Sequence, residues 1–311
     1  MDLNLLTIAR RASLGNKILK SFDNAVNRIT QIDNITKKFD SSSDFDNNEK
    51  LQNREFAIIG LVSILEQFLN EVLQQVLISH PRKFGNKKFE IDELMEQGSI
   101  LELFCSKANQ KLLDLAYGRF DRFISNVANT LELTSEINSD LVDTINEIKL
   151  TRDCLIHSEG KANDLYFSKV GAKARVSSNN EQLKIDTEYY EQSFKKIKEF
   201  ISEIKIRIPT KLTESKKSYI FKQMWEATCL NERFKFDEIW TIQNSNMVKP
   251  KDIQDDHGFS STEMVVYNLF RYIFSTRKEY EVDFGFYFQR WKPQSNEYQI
   301  ALSWLDNQFY F

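Results

Sequence analysis

The chain has 311 residues, with 42 Lys and Arg against 45 Asp and Glu, for a net charge of −3. At 41% hydrophobic and 28% charged it is not a wholly disordered polymer, and its balanced charge excludes a globally basic nucleic-acid coat. Nine Gly and four Pro are about 4% of the residues, against about 12% in average usage, which disfavours turn-dense sandwiches and barrels and favours long helices.

Residues 1–36 read as a helix, with Leu5, Ile8, Ile18, Leu19, Phe22, Val26 and Ile29 set among Lys and Arg. Its charges follow its apolar residues, so it lacks the pattern of a signal peptide. The Ser/Asp/Asn-rich stretch 37–50 reads as a loop. From Glu49 to Ser79, Ala57, Leu61, Leu65, Phe68, Val72 and Val76 recur at three- and four-residue steps, the stripe of an amphipathic helix. The apolar run inside it, Phe56 to Leu69, is broken by Gly60, Ser63, Glu66 and Gln67 and reads as too interrupted for a bilayer span of about 20 residues. Pro81 and Gly85 break the helix within 79–89.

Further helices are expected over 91–116, 118–130 and 139–158, the last capped by Ser139, ended by Gly160, and apolar at Leu141, Ile145, Ile148, Leu155 and Ile156. Segments 164–169 and 182–186 predict two short strands around the turn SSNNEQ. A helix follows over 185–206, capped by Asp186 or Thr187, with Tyr190, Phe194, Ile197, Ile201 and Ile204 on its face.

Pro209, inside the basic stretch 207–217, marks a boundary between domains 1–208 and 209–311. Beyond it, residues 214–229 look helical, and Ser260 and Glu263 form a capping box before an apolar helix. Val282, Phe284, Phe286 and Phe288 alternate as in a strand, and Asn296 to Asn307 predicts a final helix. The aromatic residues of this half, Trp225, Trp240, Tyr267, Phe270, Tyr287, Trp291 and Trp304 among them, read as the core of a small α+β domain. His257 lies in a polar loop and carries no assignment. The expected fold class is therefore mainly α, a helical bundle with a short β-hairpin and a smaller α+β C-terminal domain.

Chemistry concentrates in LTRDCLIHSEG, residues 150–160. His157 is the side chain best suited to move protons near neutral pH, and the planar, permanently charged fork of Arg152 matches phosphate oxygens. An imidazole and a guanidinium suffice for metal-free RNA cleavage: one moves protons, the other stabilises charge building on phosphorus. Asp153 and His157, at i and i+4, share a helix face and are expected to hydrogen-bond. Arg152 and His157 lie about 140° apart around an ideal helix, so their tips meet more readily across a two-fold axis between two copies. The same residues also fit a surface ion-pair network with no chemistry. The three Cys and three His form no CxxC, HxxxH or HExxH pattern, so neither a metal site nor a disulfide framework is expected, and dispersed thiols suit a reducing cytoplasm.

In its surroundings the motif resembles the HEPN superfamily, whose signature is Arg-x(4–6)-His with a polar residue after the Arg, here Arg152, Asp153 and His157. The earlier helix AIIGLVSILEQFLNEVL and the later KIDTEYYEQSFKKIKEFISEI are similar to the RiboL-PSP/MAE-like branch, and the similarity spans about residues 50–208 in the family's order. The resemblance implies an all-helical bundle acting as a homodimeric, metal-independent endoribonuclease, with no cofactor, in toxin–antitoxin, abortive-infection or anti-phage systems. It makes Arg152 and His157 catalytic, Asp153 their polar helper, and Glu66 and Ser158 supporting residues. Residues 149–175 carry six basic and three acidic side chains, and Lys161, Lys169, Lys173 and Arg175 are placed to track an RNA backbone. Partners would be RNA, a second copy and an antitoxin or defence-system protein, with no membrane. Some members only bind, so the alternative is a non-catalytic HEPN-like scaffold for a protein partner or nucleotide.

Overall fold

Scarce glycine and proline leave few helix stops, and the first two helices run long: α1 over Leu3–Ser41 and α2 over Asn47–Ser79. The computed structural model describes residues 3–84, 100–116, 120–133, 137–208, 212, 217–243, 247–251, 258–275 and 282–307. After α2 come a 3-10 turn at Pro81–Phe84, α3 (Ile100–Ala116), α4 (Phe120–Leu131), α5 (Ser139–His157), α6 (Asp164–Val170) and α7 (Thr187–Arg207). Then follow α8 (Lys217–Glu226), α9 (Leu230–Arg233), α10 (Phe236–Ile239), strands β1 (Trp240–Gln243) and β2 (Met247–Pro250), α11 (Ser261–Ser275), α12 (Phe284–Arg290) and α13 (Asn296–Asn307). The described protein is mainly α, with one two-stranded antiparallel sheet pairing Trp240 with Pro250 and Gln243 with Met247. The expected helical stretches 91–99, 118–119 and 214–216, the break at 85–89 and His257 lie outside the described residues.

Two compact units are present, one from residues 18–74 and 107–209, the other from 1–17, 75–106 and 210–311. In the first, the stripe Ala57, Leu61, Leu65, Phe68 and Val72 of α2 is buried, as are Tyr190, Ile197, Ile201 and Ile204 of α7. By length and composition α2 is apolar enough to cross a membrane, unlike the reading from its interruptions, and 56% of its most apolar stretch is buried inside the protein. The expected loop 37–50 shrinks because Asp46 starts α2 early: its Oδ1 accepts from the Asn48 and Glu49 N–H groups, and Glu49 accepts from the Asp46 N–H at 2.8 Å.

In the second unit the aromatic residues pack mostly in edge-to-face and tilted pairs, with Phe221 4.8 Å from Trp240 and Trp225 5.2 Å from Phe270, ring centre to centre. Ser260 and Glu263 form the expected capping box at α11. The expected strand over 282–288 is instead α12. Asp283 accepts from the Phe286 N–H at 3.0 Å and so caps a helix, and Phe284 and Phe288, four residues apart, share its packed side while Phe286 is exposed. Strand pairing falls instead between Trp240–Gln243 and Met247–Pro250.

Candidate functional site at the end of helix α5

Helix α5 is capped one residue earlier than expected, by Asn138, which accepts from the Asp140 N–H at 2.9 Å. Leu141, Ile145 and Ile148 are buried. The helix stops at His157, where Glu159 at φ +52° turns the chain so that the Gly160 N–H joins the Ser158 N–H in donating to the Cys154 carbonyl, at 3.0 and 2.9 Å, and Gly160 continues the turn at φ +75°. The chain then returns beneath the helix end, where Leu150, Cys154, Ala162, Tyr166, Val170 and Leu183 form a small core. The expected strand at 164–169 is α6, because Asn163 caps it by accepting from the Tyr166 N–H at 2.9 Å. Of the expected hairpin only an isolated bridge, Lys161 with Gln182, forms.

This short return loop fixes the last two turns of α5. Arg152 lies partly buried, its side chain 14% exposed. Its Nη1 donates to Asp153 Oδ1 at 3.0 Å, and its Nη2 donates to Glu66 Oε2 of α2. Its Nε is buried without a hydrogen-bond partner. Lys149 Nζ donates to the other Asp153 oxygen at 2.7 Å. Both Asp153 oxygens thus face cations, and the expected Asp153–His157 bond gives way to these ion pairs, because Lys149 sits one turn on the opposite side of Asp153. His157 and Ile156 are exposed at the helix end, and Ser158 Oγ accepts from Asn163 Nδ2 at 3.0 Å. Glu66, Arg152 and Asp153 come together; His157 stands apart from them.

The basic residues divide. Lys161 pairs with exposed Glu159, Lys173 with Asp140 near the start of α5, and the Lys169 backbone carbonyl accepts from Asn146. Arg175 turns inward. Its Nε donates to Glu147 at 2.9 Å, its Nη1 to the Lys184 carbonyl, and its plane lies over Tyr189, 3.6 Å from the ring centre. Glu147, almost wholly buried, also accepts from Thr151, Tyr166 and Tyr189 at 2.7 to 3.0 Å. Burial, reinforced by the Glu147 charge, pushes the Tyr166 phenol up to about 12, and burial drives Tyr189 well above its ordinary value. Burial also raises the Cys154 thiol. This network was missed in the sequence; its one signal is that Glu147, Thr151 and Cys154 fall at i, i+4 and i+7, a line that turns out buried.

Among the described residues no group of three or more His, Cys, Asp or Glu side chains is placed to share a metal ion. No protein-family model, curated protein or solved structure matches the chain.

Proposed function

We propose that the chain is a HEPN-like endoribonuclease that cleaves RNA without a metal as a homodimer, serving in the cytoplasm as a toxin or as an anti-phage or abortive-infection effector. The observation that carries this reading is the helix α5 terminus: a guanidinium oriented by Glu66 and Asp153, and an exposed imidazole five residues on. An ideal helix sets these groups about 7.5 Å apart along its axis and about 140° around it, a separation that favours pairing each with its counterpart on a second copy.

In this reading an imidazole from His157 takes the 2′-OH proton, and the 2′-oxygen attacks the adjacent phosphorus. The Arg152 guanidinium stabilises the added negative charge, the P–O5′ bond breaks as the imidazolium returns its proton to the departing 5′-oxygen, and the products are a 2′,3′-cyclic phosphate and a 5′-hydroxyl. Lys161, Lys169 and Lys173 follow the phosphates on either side. The test incubates end-labelled RNA with wild type, Arg152→Ala and His157→Ala in excess chelator. Wild type is expected to cut and both variants to lose at least about a hundredfold of the rate. Equal cutting by His157→Ala, or loss of all wild-type cutting on chelation, overturns the assignment. The rival, a non-catalytic scaffold, draws on one observation: Arg152 is already neutralised by two carboxylates. Intact RNA with purified wild type would favour it.

A further inference from the structure

The way Arg152 is engaged is asymmetric. Asp153 takes Nη1 and Glu66 takes Nη2, while the buried Nε has no hydrogen-bond partner. That Nε–Nη2 edge presents two parallel N–H groups, the geometry that matches two oxygens of one phosphate. Glu66 therefore holds one of the two nitrogens that such a site would use. The two carboxylates also differ in how easily they leave. Asp153 is shared with Lys149 on the same helix, at 2.7 Å. Glu66 reaches across from α2; at 30% exposed against 26% for Asp153 the two are alike in access to water, and what separates them is the second cation that holds Asp153.

We propose that Glu66 is a latch on Arg152: its carboxylate holds Nη2 in the free protein, and an RNA phosphodiester binds by displacing it and bridging Nε and Nη2 with its two non-bridging oxygens. The proposal rests on reading Arg152 as the phosphate-binding group. Latched, Lys149, Arg152, Glu66 and Asp153 sum to no net charge. Once Glu66 swings out, the remaining three carry one positive charge, and a buried donor gains its acceptor. Binding strength is thus held down until the carboxylate gives way.

The test measures binding, not cleavage, with a fluorescent 2′-O-methyl oligoribonucleotide that cannot be cut. Wild type, Glu66→Gln, Glu66→Asp and Glu66→Gln/Arg152→Ala are compared by anisotropy over a salt series, with circular dichroism of each. Glu66→Gln is expected to bind about three- to tenfold more tightly. Its plot of log affinity against log salt is expected to keep the wild-type slope, because Arg152 takes the same phosphate in both, and the double variant, which loses that contact, is expected to be shallower by about 0.7. The gain should vanish in the double variant. Glu66→Asp, shorter by one methylene, gives a smaller gain of the same sign and serves if the Gln variant misfolds. Equal or weaker binding by Glu66→Gln, or a gain that survives removal of Arg152, overturns the latch. The two ideas fail separately: Arg152-dependent tightening with RNA left uncut by wild type keeps the latch and sinks the nuclease, and the converse result does the opposite.

Discussion

Arg175 Nε donates to the buried Glu147 carboxylate at 2.9 Å, tying the turn after α6 to the middle of α5, 28 residues earlier in the chain. Thr151, one position before Arg152, completes the same network through its hydroxyl. The side chain read from sequence as an outward phosphate contact is therefore part of what holds the site's helix in place. Removing it leaves a nearly fully buried carboxylate with hydroxyl donors only. Arg175→Ala is expected to cost about 3 kcal/mol, measured by urea unfolding, because breaking a buried pair exposes the full desolvation cost of the remaining charge. A loss under about 1 kcal/mol would show that Thr151, Tyr166 and Tyr189 satisfy Glu147 by themselves.

Gly160 completes the turn that follows α5. Its φ of +75° lies in the left-handed region, and a Cβ there would also meet Gln182 Nε2 at 2.5 Å. The amide can swing aside, so the backbone strain dominates. Gly160→Ala is expected to lower stability by about 1–2 kcal/mol. It should also shift the NMR signals of Cys154, whose carbonyl accepts both terminal N–H groups, and of His157. An unchanged unfolding midpoint contradicts this role.

Tyr166 and Tyr190 are both pushed up to about 12, Tyr166 by burial and Glu147, Tyr190 by burial with Asp33 nearby. The folded chain keeps these phenols protonated after the unfolded chain, with ordinary values near 10, has released them. Below pH 10 the two states bind the same protons at these groups, and their contribution to stability is flat. Between about 10 and 12 the folded state binds more, so stability falls as pH rises. Absorbance titration should show these two tyrosines ionising late, together with alkaline loss of structure; complete ionisation of all tyrosines near pH 10 in a folded chain would be incompatible with this burial.

Much of the fold is legible where one rule acts alone. The α2 stripe, the Asp186 cap, the Ser260–Glu263 box and the Asn296–Asn307 helix follow from periodicity or from a single capping side chain. The errors fall where two local rules compete. At 164–169 and 282–288 the residues suit strands, yet Asn163 and Asp283 start helices, and a cap outweighs weak alternation over so few residues. In the site, the Arg152–Asp153 neighbourhood is visible in sequence, but the ion pair to Glu66, 86 residues away, depends on how α2 meets α5. Spacing predicts an Asp153–His157 bond; Lys149, at the equivalent spacing on the other side, and Arg152 take the two carboxylate oxygens instead.

The claim that two copies build one site is tested most directly by mixing inactive variants. Arg152→Ala and His157→Ala are purified separately, unfolded together in equal amounts and refolded, and cleavage of labelled RNA is followed in chelator. If the guanidinium of one copy works with the imidazole of the other, half the dimers are mixed and each carries one intact site of two, so the mixture regains about a quarter of wild-type activity. If both groups act within one copy, every site lacks one of them, and a refolded dimeric mixture that stays inactive contradicts the account.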